Sequence, residues 1–247
     1  MKNRPSRKKT STASHVRPFW IPILFLLGAA AGAGYYGATW PGLYPKHVAL
    51  SGNRVVPASE IFSKAAILPH QNIWLQNARA ASARIERIPY ILNASIHRTP
   101  PANVRIVVSE RMPFANVQTG QQTLLVDRAM RVLEIQGRAD LPVFRLKGVP
   151  EVQPGTFLRD AHAARLRGDY DALFAGHVIV TQMQFDRFDD LAVALRGGTK
   201  VLLGDDRDLA KKIPLVGPIL AQVARAGRPI AAIDLRAPAT PVVVYRR

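Results

Sequence analysis

At 247 residues with 48% apolar side chains, the chain is long enough to bury a core and to divide into two modest domains besides any anchor. It has no cysteine, which excludes disulfide staples, thiolate zinc sites and thiol nucleophiles together. The formal net charge is +17, and only six of the cations (Lys2, Arg4, Arg7, Lys8, Lys9 and Arg17) belong to the acid-free first 17 residues. The excess is therefore spread along the chain, and a diffuse basic surface suits nucleic acid, anionic lipid or anionic polymer without choosing among them.

Residues 18–40, PFWIPILFLLGAAAGAGYYGATW, run for 23 positions without a charge. At about 1.5 Å of rise per residue, a helix of that length crosses the roughly 30 Å hydrocarbon layer of a bilayer. Trp20 and Trp40 lie near its ends with Tyr35 and Tyr36 close by, where amphipathic rings favour the headgroup zone, and the upstream cations orient that side to the cytoplasm. A cleaved signal peptide is the competing reading, because Ala29-Ala30-Ala31 and Ala31-Gly32-Ala33 resemble small-residue cleavage sites. The length of the apolar stretch and its second aromatic belt favour a retained anchor, with the rest of the chain exported.

Beyond the anchor the period of the apolar residues changes twice. Residues 46–52, KHVALSG, read as a short strand ending in a glycine turn, and Pro57 suits the start of a helix reaching about Ala66. Leu75, Ala78, Ala81, Ile85 and Ile88 then fall on one helical stripe, with Arg79, Arg84 and Arg87 off it, and Pro89 ends the helix. From there the period is two: Leu92, Ala94 and Ile96 alternate with Asn93, Ser95 and His97, and Val104, Ile106 and Val108 repeat the pattern past a Pro-Pro turn. The order strand, helix, helix, strand, strand buries both helical stripes most economically on one face of a three-stranded sheet.

Within this region stand Ile88-Pro89-Tyr90-Ile91, Arg98-Thr99-Pro100 and Glu110-Arg111-Met112-Pro113-Phe114-Ala115. Their order resembles the POTRA domain of the FtsQ/DivIB family of bacterial cell-division proteins, in which a Leu-Pro-Trp-Val helix end, an Arg-x-x-Pro strand end and Glu-Arg-x-Pro-x-Ala follow one another. Downstream, LLVDRAMRVL (residues 124–133) resembles the family's hairpin, with Ala129 or Met130 where glycine is usual, and DLPVFRLKG resembles a second shared stretch. A helix is expected over 160–174 and strands over 177–185 and 191–195. KVLLGDDRDLAKKI resembles the family's strand, Leu-Gly turn and final helix, which Pro214 and Pro218 are expected to interrupt.

The resemblance implies an α+β chain: a cytoplasmic tail (1–17), one transmembrane helix (18–40), a POTRA domain (44–113) and a distal mixed β-sheet domain with flanking helices (114–247). It implies no catalysis and no cofactor. The expected role is a single-pass inner-membrane scaffold at the division septum, whose last sheet edge pairs with the FtsB–FtsL complex, alongside other divisome components, and which helps regulate septal peptidoglycan synthesis. The partner-binding residues it implies are Ile233, Leu235, Ala237, Ala239, Val243 and Tyr245, where an unpaired edge offers main-chain N–H and C=O groups to a foreign strand. Ala237 replaces an aromatic residue usual after the Arg, and Pro241 removes one donor. The competing reading is that Val242, Val244 and Tyr245 complete the distal core.

Other constellations point away from chemistry. The six histidines show no zinc-ligand spacing, and no nucleophile elbow, phosphate loop or dinucleotide fingerprint occurs, so no metal or nucleotide site is assigned. Asp205, Asp206 and Asp208 precede a helix and read as caps, Asp186, Asp189 and Asp190 read as a solvated turn, and Glu110-Arg111 reads as an ion-paired strand end. Two further functions compete: a POTRA-containing outer-membrane assembly or secretion component, against which the absence of a long alternating barrel series counts, and an exported basic binding protein. For nucleic acid, the aromatics are not interleaved with cations as a stacking surface requires.

Overall fold

The computed structural model of the protein describes residues 20–120 and 122–246; the basic stretch at 1–17 and the first two residues of the expected span lie outside them. The chain divides into two compact units. One takes in the chain up to Val48 with Ile67–Asn77 and Arg98–Val104, and the other takes in Ala49–Ala66, Ala78–His97 and Arg105–Arg247.

The first unit is built on α1 (Trp20–Thr39), 20 residues with no charge and no buried side chain, long and apolar enough to cross a membrane. A 3-10 turn at Pro41–Leu43 follows it.

The POTRA elements are β1 (His47–Ser51), α2 (Ala58–Ala65), α3 (Ala78–Ile85), β2 (Ile91–Thr99) and β3 (Asn103–Glu110), with the sheet order β1-β3-β2. Pro57 stands at the N-cap of α2, which buries Ile61 and Ala65 and ends at Ala66 in the left-handed region. Arg84 of α3 donates to the carbonyls of Lys64 (3.1 Å) and Ala65 (2.5 Å), supplying partners that the last turn of α2 lacks. The stripe of α3 is shorter than the sequence suggests. Ala81, Ile85 and Ile88 are buried, but the helix begins only at Ala78 and Leu75 is exposed. Side chains before it compete for the backbone: Asn72 Oδ1 accepts the Trp74 N–H at 2.8 Å, and Gln76 bonds both the N–H and the C=O of Leu68 at 2.9 Å.

In β3, Val104, Ile106 and Val108 are buried in alternation, as the period predicts. In the edge strand β2, Ala94 and Ile96 are half-buried and Leu92 is exposed. Gly52 follows β1 at φ +93, and a Cβ there would stand 1.9 Å from the Val108 carbonyl oxygen, so only glycine permits this approach. Glu110 ends β3 by accepting the N–H groups of Arg54, Val55 and Val56 at 2.8–2.9 Å. Partial desolvation works to raise its pKa, the three amides outweigh it, and the carboxyl stays below its usual range. Its partners are therefore backbone amides, and the ion pair belongs to Arg111, whose Nη1 lies 2.6 Å from Oδ2 of the buried Asp127.

The second sheet comprises β4 (Pro113–Gln118), β5 (Thr123–Asp127), β6 (Val132–Glu134), β7 (Val143–Arg145), β8 (Val180–Phe185), β9 (Leu191–Leu195), β10 (Lys200–Gly204), β11 (Ile230–Asp234) and β12 (Val242–Tyr245). Their order is β12-β11-β10-β9-β8-β7-β4-β5-β6, with parallel pairs at β10/β11, β4/β7 and β7/β8 and antiparallel pairs elsewhere. Helices α4 (Ala161–Ala175) and α5 (Leu209–Arg225) contact one another. Asp160 caps α4 through the Ala163 N–H at 2.9 Å. The expected strand at 177 begins only at Val180, because His177, at φ 60, and Val178 donate back to Phe174 and Leu173 and close the end of α4.

The two prolines do not interrupt α5. Pro214 and Pro218 lie four residues apart on its solvent face, where the carbonyls they leave unpaired reach water. The opposite face, with Leu209, Ile213, Val216 and Val223 buried, holds the helix against the core, and buried Lys212 donates Nζ to the Asp205 carbonyl at 2.8 Å. In the β5–β6 turn Met130 stands at φ 59, the conformation a glycine would favour. Asp127 offsets the strain: its Oδ1 accepts the N–H groups of Ala129 (2.9 Å) and Arg131 (2.8 Å), and its carbonyl accepts that of Met130.

Candidate partner-binding edge

A nine-stranded open sheet has two edges, and each presents a row of main-chain donors and acceptors. At the β6 edge the chain covers itself. Val132 N–H donates to the Thr156 carbonyl at 2.8 Å, Gly155 N–H to Val132 at 2.7 Å and Leu158 N–H to Met130 at 2.9 Å, with a bridge between Arg131 and Phe157. At the other edge β12 pairs antiparallel with β11 on one side, and among the described residues no strand pairs with it on the other.

The register defines which groups face outward. Arg246 N–H donates to the Pro229 carbonyl at 2.9 Å, so residue 246 turns its main chain toward β11. Alternation along the strand then turns the main-chain groups of Val244 and Val242 inward as well, and those of Val243 and Tyr245 toward the open side. Side chains follow their own alternation. Val243 and Tyr245 are half-buried and pack against the core, the Tyr245 ring lying 4.0 Å from the Arg228 guanidinium carbon, while Val242 (56%) and Val244 (48%) are exposed.

The six sequence-predicted residues thus separate into three groups. Ile233 and Leu235 are fully buried, and their side chains shape the floor under the edge instead of reaching a partner. Ala237 and Ala239 are exposed in the turn between β11 and β12, which the Thr240 N–H closes on the Ala237 carbonyl at 3.0 Å. Val243 and Tyr245 supply the outward main chain. Sequence reasoning missed Val242 and Val244 as the outward apolar side chains, and their exposure is at odds with the reading that they complete the core. The strict V-V-V-Y run hides which face each residue takes; only the register against β11 settles it. Arg236 forks onto Asp234 at 2.6–3.1 Å, and the guanidinium, with a contributing backbone N–H, holds the Asp234 carboxyl below its usual range against partial desolvation.

The acids elsewhere form structure. Asp205 takes the N–H and side chain of Arg207, but Asp208 makes no side-chain cap and pairs with Lys211, and Asp206 accepts Arg165 Nε at 2.8 Å. Arg165 Nη1 also reaches Asp189 at 2.6 Å, so both loops are tied to α4. Asp169 lies buried on α4, with Oδ2 lacking a hydrogen-bond partner among the described residues. Burial, and then the charge of Asp206, push its carboxyl up to about 7 against the pull of Arg165. Among the described residues no group of three or more His, Asp or Glu could hold a metal ion.

Known proteins resemble the chain over most of this length. A family model described as "POTRA domain, FtsQ-type" matches residues 44–111, and one described as "Cell division protein FtsQ/DivIB, C-terminal" matches residues 115–236. A cell division protein FtsQ from Xanthomonas campestris pv. campestris is 26% identical over 225 residues, 87% of this chain and 72% of that protein. An FtsQ from Streptomyces bingchenggensis is 25% identical over 89% of this chain and 82% of its own length. A cell division protein DivIB from Clostridium acetobutylicum is 26% identical over 105 residues, 42% of each chain.

Proposed function

Because the chain belongs to the FtsQ/DivIB family of bacterial cell-division proteins, we propose that it is a non-catalytic, membrane-anchored scaffold that captures the FtsB–FtsL complex by extending its large sheet at β12. Through that complex it helps regulate septal peptidoglycan synthesis. The reading places a cytoplasmic tail at 1–17, a span at 18–40, a POTRA domain at 44–113 and a distal domain at 114–247, with the bulk of the chain outside the cytoplasmic membrane at the septum.

The observation that carries this reading is the asymmetry of the sheet: among the described residues no strand pairs with the outer side of β12, while the opposite edge is paired by the chain's own main chain. The outward N–H and C=O groups of Val243 and Tyr245 would bond an added strand, and the exposed Val242 and Val244 side chains would pack against its residues on that face. The turn at Ala237 and Ala239 is an exposed flank for the same strand.

Deleting residues 237–247 removes β12 and its preceding turn. The expected result is loss of FtsB–FtsL from a detergent pull-down with the POTRA elements still folded by circular dichroism and limited proteolysis; full retention of the partners by the truncated chain overturns the edge-pairing proposal.

A further inference from the structure

A helix leaves its last four carbonyls without partners inside the helix, and in a bilayer such groups need partners from the protein. In α1 these partners come from identifiable residues of the first unit. Tyr44 Oη donates to the Thr39 carbonyl at 3.0 Å and Asn72 Nδ2 to the Gly37 carbonyl at 3.4 Å. The next residue repeats the connection, since Ile73 N–H donates to the Leu43 carbonyl at 3.0 Å. Asn72 and Ile73 are both buried, so the loop 67–77 is fastened to the end of α1.

The same loop holds large apolar side chains out of any core. Leu68 (54%), Trp74 (43%) and Leu75 (61%) are exposed, and so is Trp40 just past the end of α1. Their presentation is fixed: Gln76 clamps Leu68 and the Gln71 carbonyl, and Arg98 Nη1 donates to the carbonyls of Ile73, Trp74 and Gln76 at 2.9–3.3 Å with its guanidinium over the Trp74 ring. This is a structural task for the Arg98 of the Arg-Thr-Pro motif. A soluble surface gains nothing from a rigid loop that displays Leu, Trp and Leu.

We propose that the loop 67–77 is a second membrane contact, inserting Leu68, Trp74 and Leu75 into the headgroup zone of the bilayer that α1 crosses. The inference rests on reading α1 as a span. With α1 of a length that matches the hydrocarbon layer, Thr39 lies at its boundary, and Asn72, bonded to Gly37 within the last turn, lies at the same depth. Trp40 and Trp74 then form one aromatic belt, and Arg98 and Lys46 offer cations to anionic headgroups. The loop is thereby seated on the lipid surface next to the span that tethers the chain.

The absence of cysteine makes the test direct, because L26C, L68C and L75C each give a single labelling site in the full-length chain. Each variant carries an environment-sensitive fluorophore in vesicles of phosphatidylethanolamine and phosphatidylglycerol, with nitroxides placed on either the headgroup or the deep acyl chain. The expected result is deep-nitroxide quenching at position 26 and at least two-fold quenching at 68 and 75 by the headgroup nitroxide. Quenching at 26 with none at 68 and 75 overturns the loop contact and leaves the span standing, assigning that face to water or to a protein. No quenching at any of the three positions overturns the span and the loop contact together.

Discussion

The two edges of the large sheet receive opposite treatment from one chain. At β6, a strand of three residues, the segment at 155–158 returns to satisfy the main chain, Asp127 locks the turn, and the Arg131 guanidinium reaches across to the carbonyls of Glu86 and Ile88 at the end of α3. At β12, a strand of four residues at the end of the chain, nothing comparable is built among the described residues, and two valines face outward beside the free main chain. Exposed edges invite unwanted pairing, and proteins generally blunt them with charge, proline or cover. Under the proposed function, Pro241 at the start of this edge and Arg246 at its end leave the centre of β12 for an added strand.

Breaking the covered edge carries the largest expected effect. Asp127→Ala removes the buried partner of Arg111 and two turn amides' acceptor, and it costs about 3–5 kcal/mol of stability, read as a lowered denaturant midpoint. The open edge responds in function instead. Val243→Pro deletes an outward N–H and reduces FtsB–FtsL capture by about 100-fold, roughly 2.7 kcal/mol, with the melting temperature almost unchanged. Val244→Pro deletes an inward N–H, so it loses capture and also loosens β12 from β11; equal melting temperatures for the two variants would contradict the assigned register.

Asp169, on α4 and in neither edge strand, sharpens the comparison as a control. Its folded carboxyl titrates near 7, far above the usual value of about 3.9. The folded state therefore holds its proton more tightly than the unfolded state, and this group's contribution makes stability fall as pH rises from about 4 to about 7 and level off above. Asp169→Asn removes that slope and gains about 1–2 kcal/mol at pH 8, with partner capture unchanged; calorimetry at pH 5 and pH 8 checks it. The smallest effect is at Gly155, whose φ of +91 lets the covering segment turn over β6: Gly155→Ala costs about 1 kcal/mol through backbone strain.

What was legible in the sequence is what periodicity and punctuation carry. The charge-free stretch read as α1, the period-two valines and isoleucines of β3, and the Pro89 stop all stand where local rules put them. The misreadings came where tertiary packing overrides a local rule. Pro214 and Pro218 break no helix because their freed carbonyls face water while the opposite stripe is buried, and Leu75 leaves its stripe because Asn72 and Gln76 hold the preceding backbone in turns. Met130 takes a glycine conformation because Asp127, in contact with it only through the folded turn, supplies the hydrogen bonds. The edge itself was legible as a location, since two apolar strands close the chain. Its facing was not, because three consecutive valines look alike until β11 fixes their register.

Residue-resolved hydrogen exchange along β12 tests the central claim most directly. In the free protein the amides of Val243 and Tyr245 should exchange rapidly and those of Val242 and Val244 slowly, and saturation with FtsB–FtsL should slow the first pair at least tenfold. Protection of Val243 and Tyr245 before any partner is added, or no change on saturation, would contradict the account.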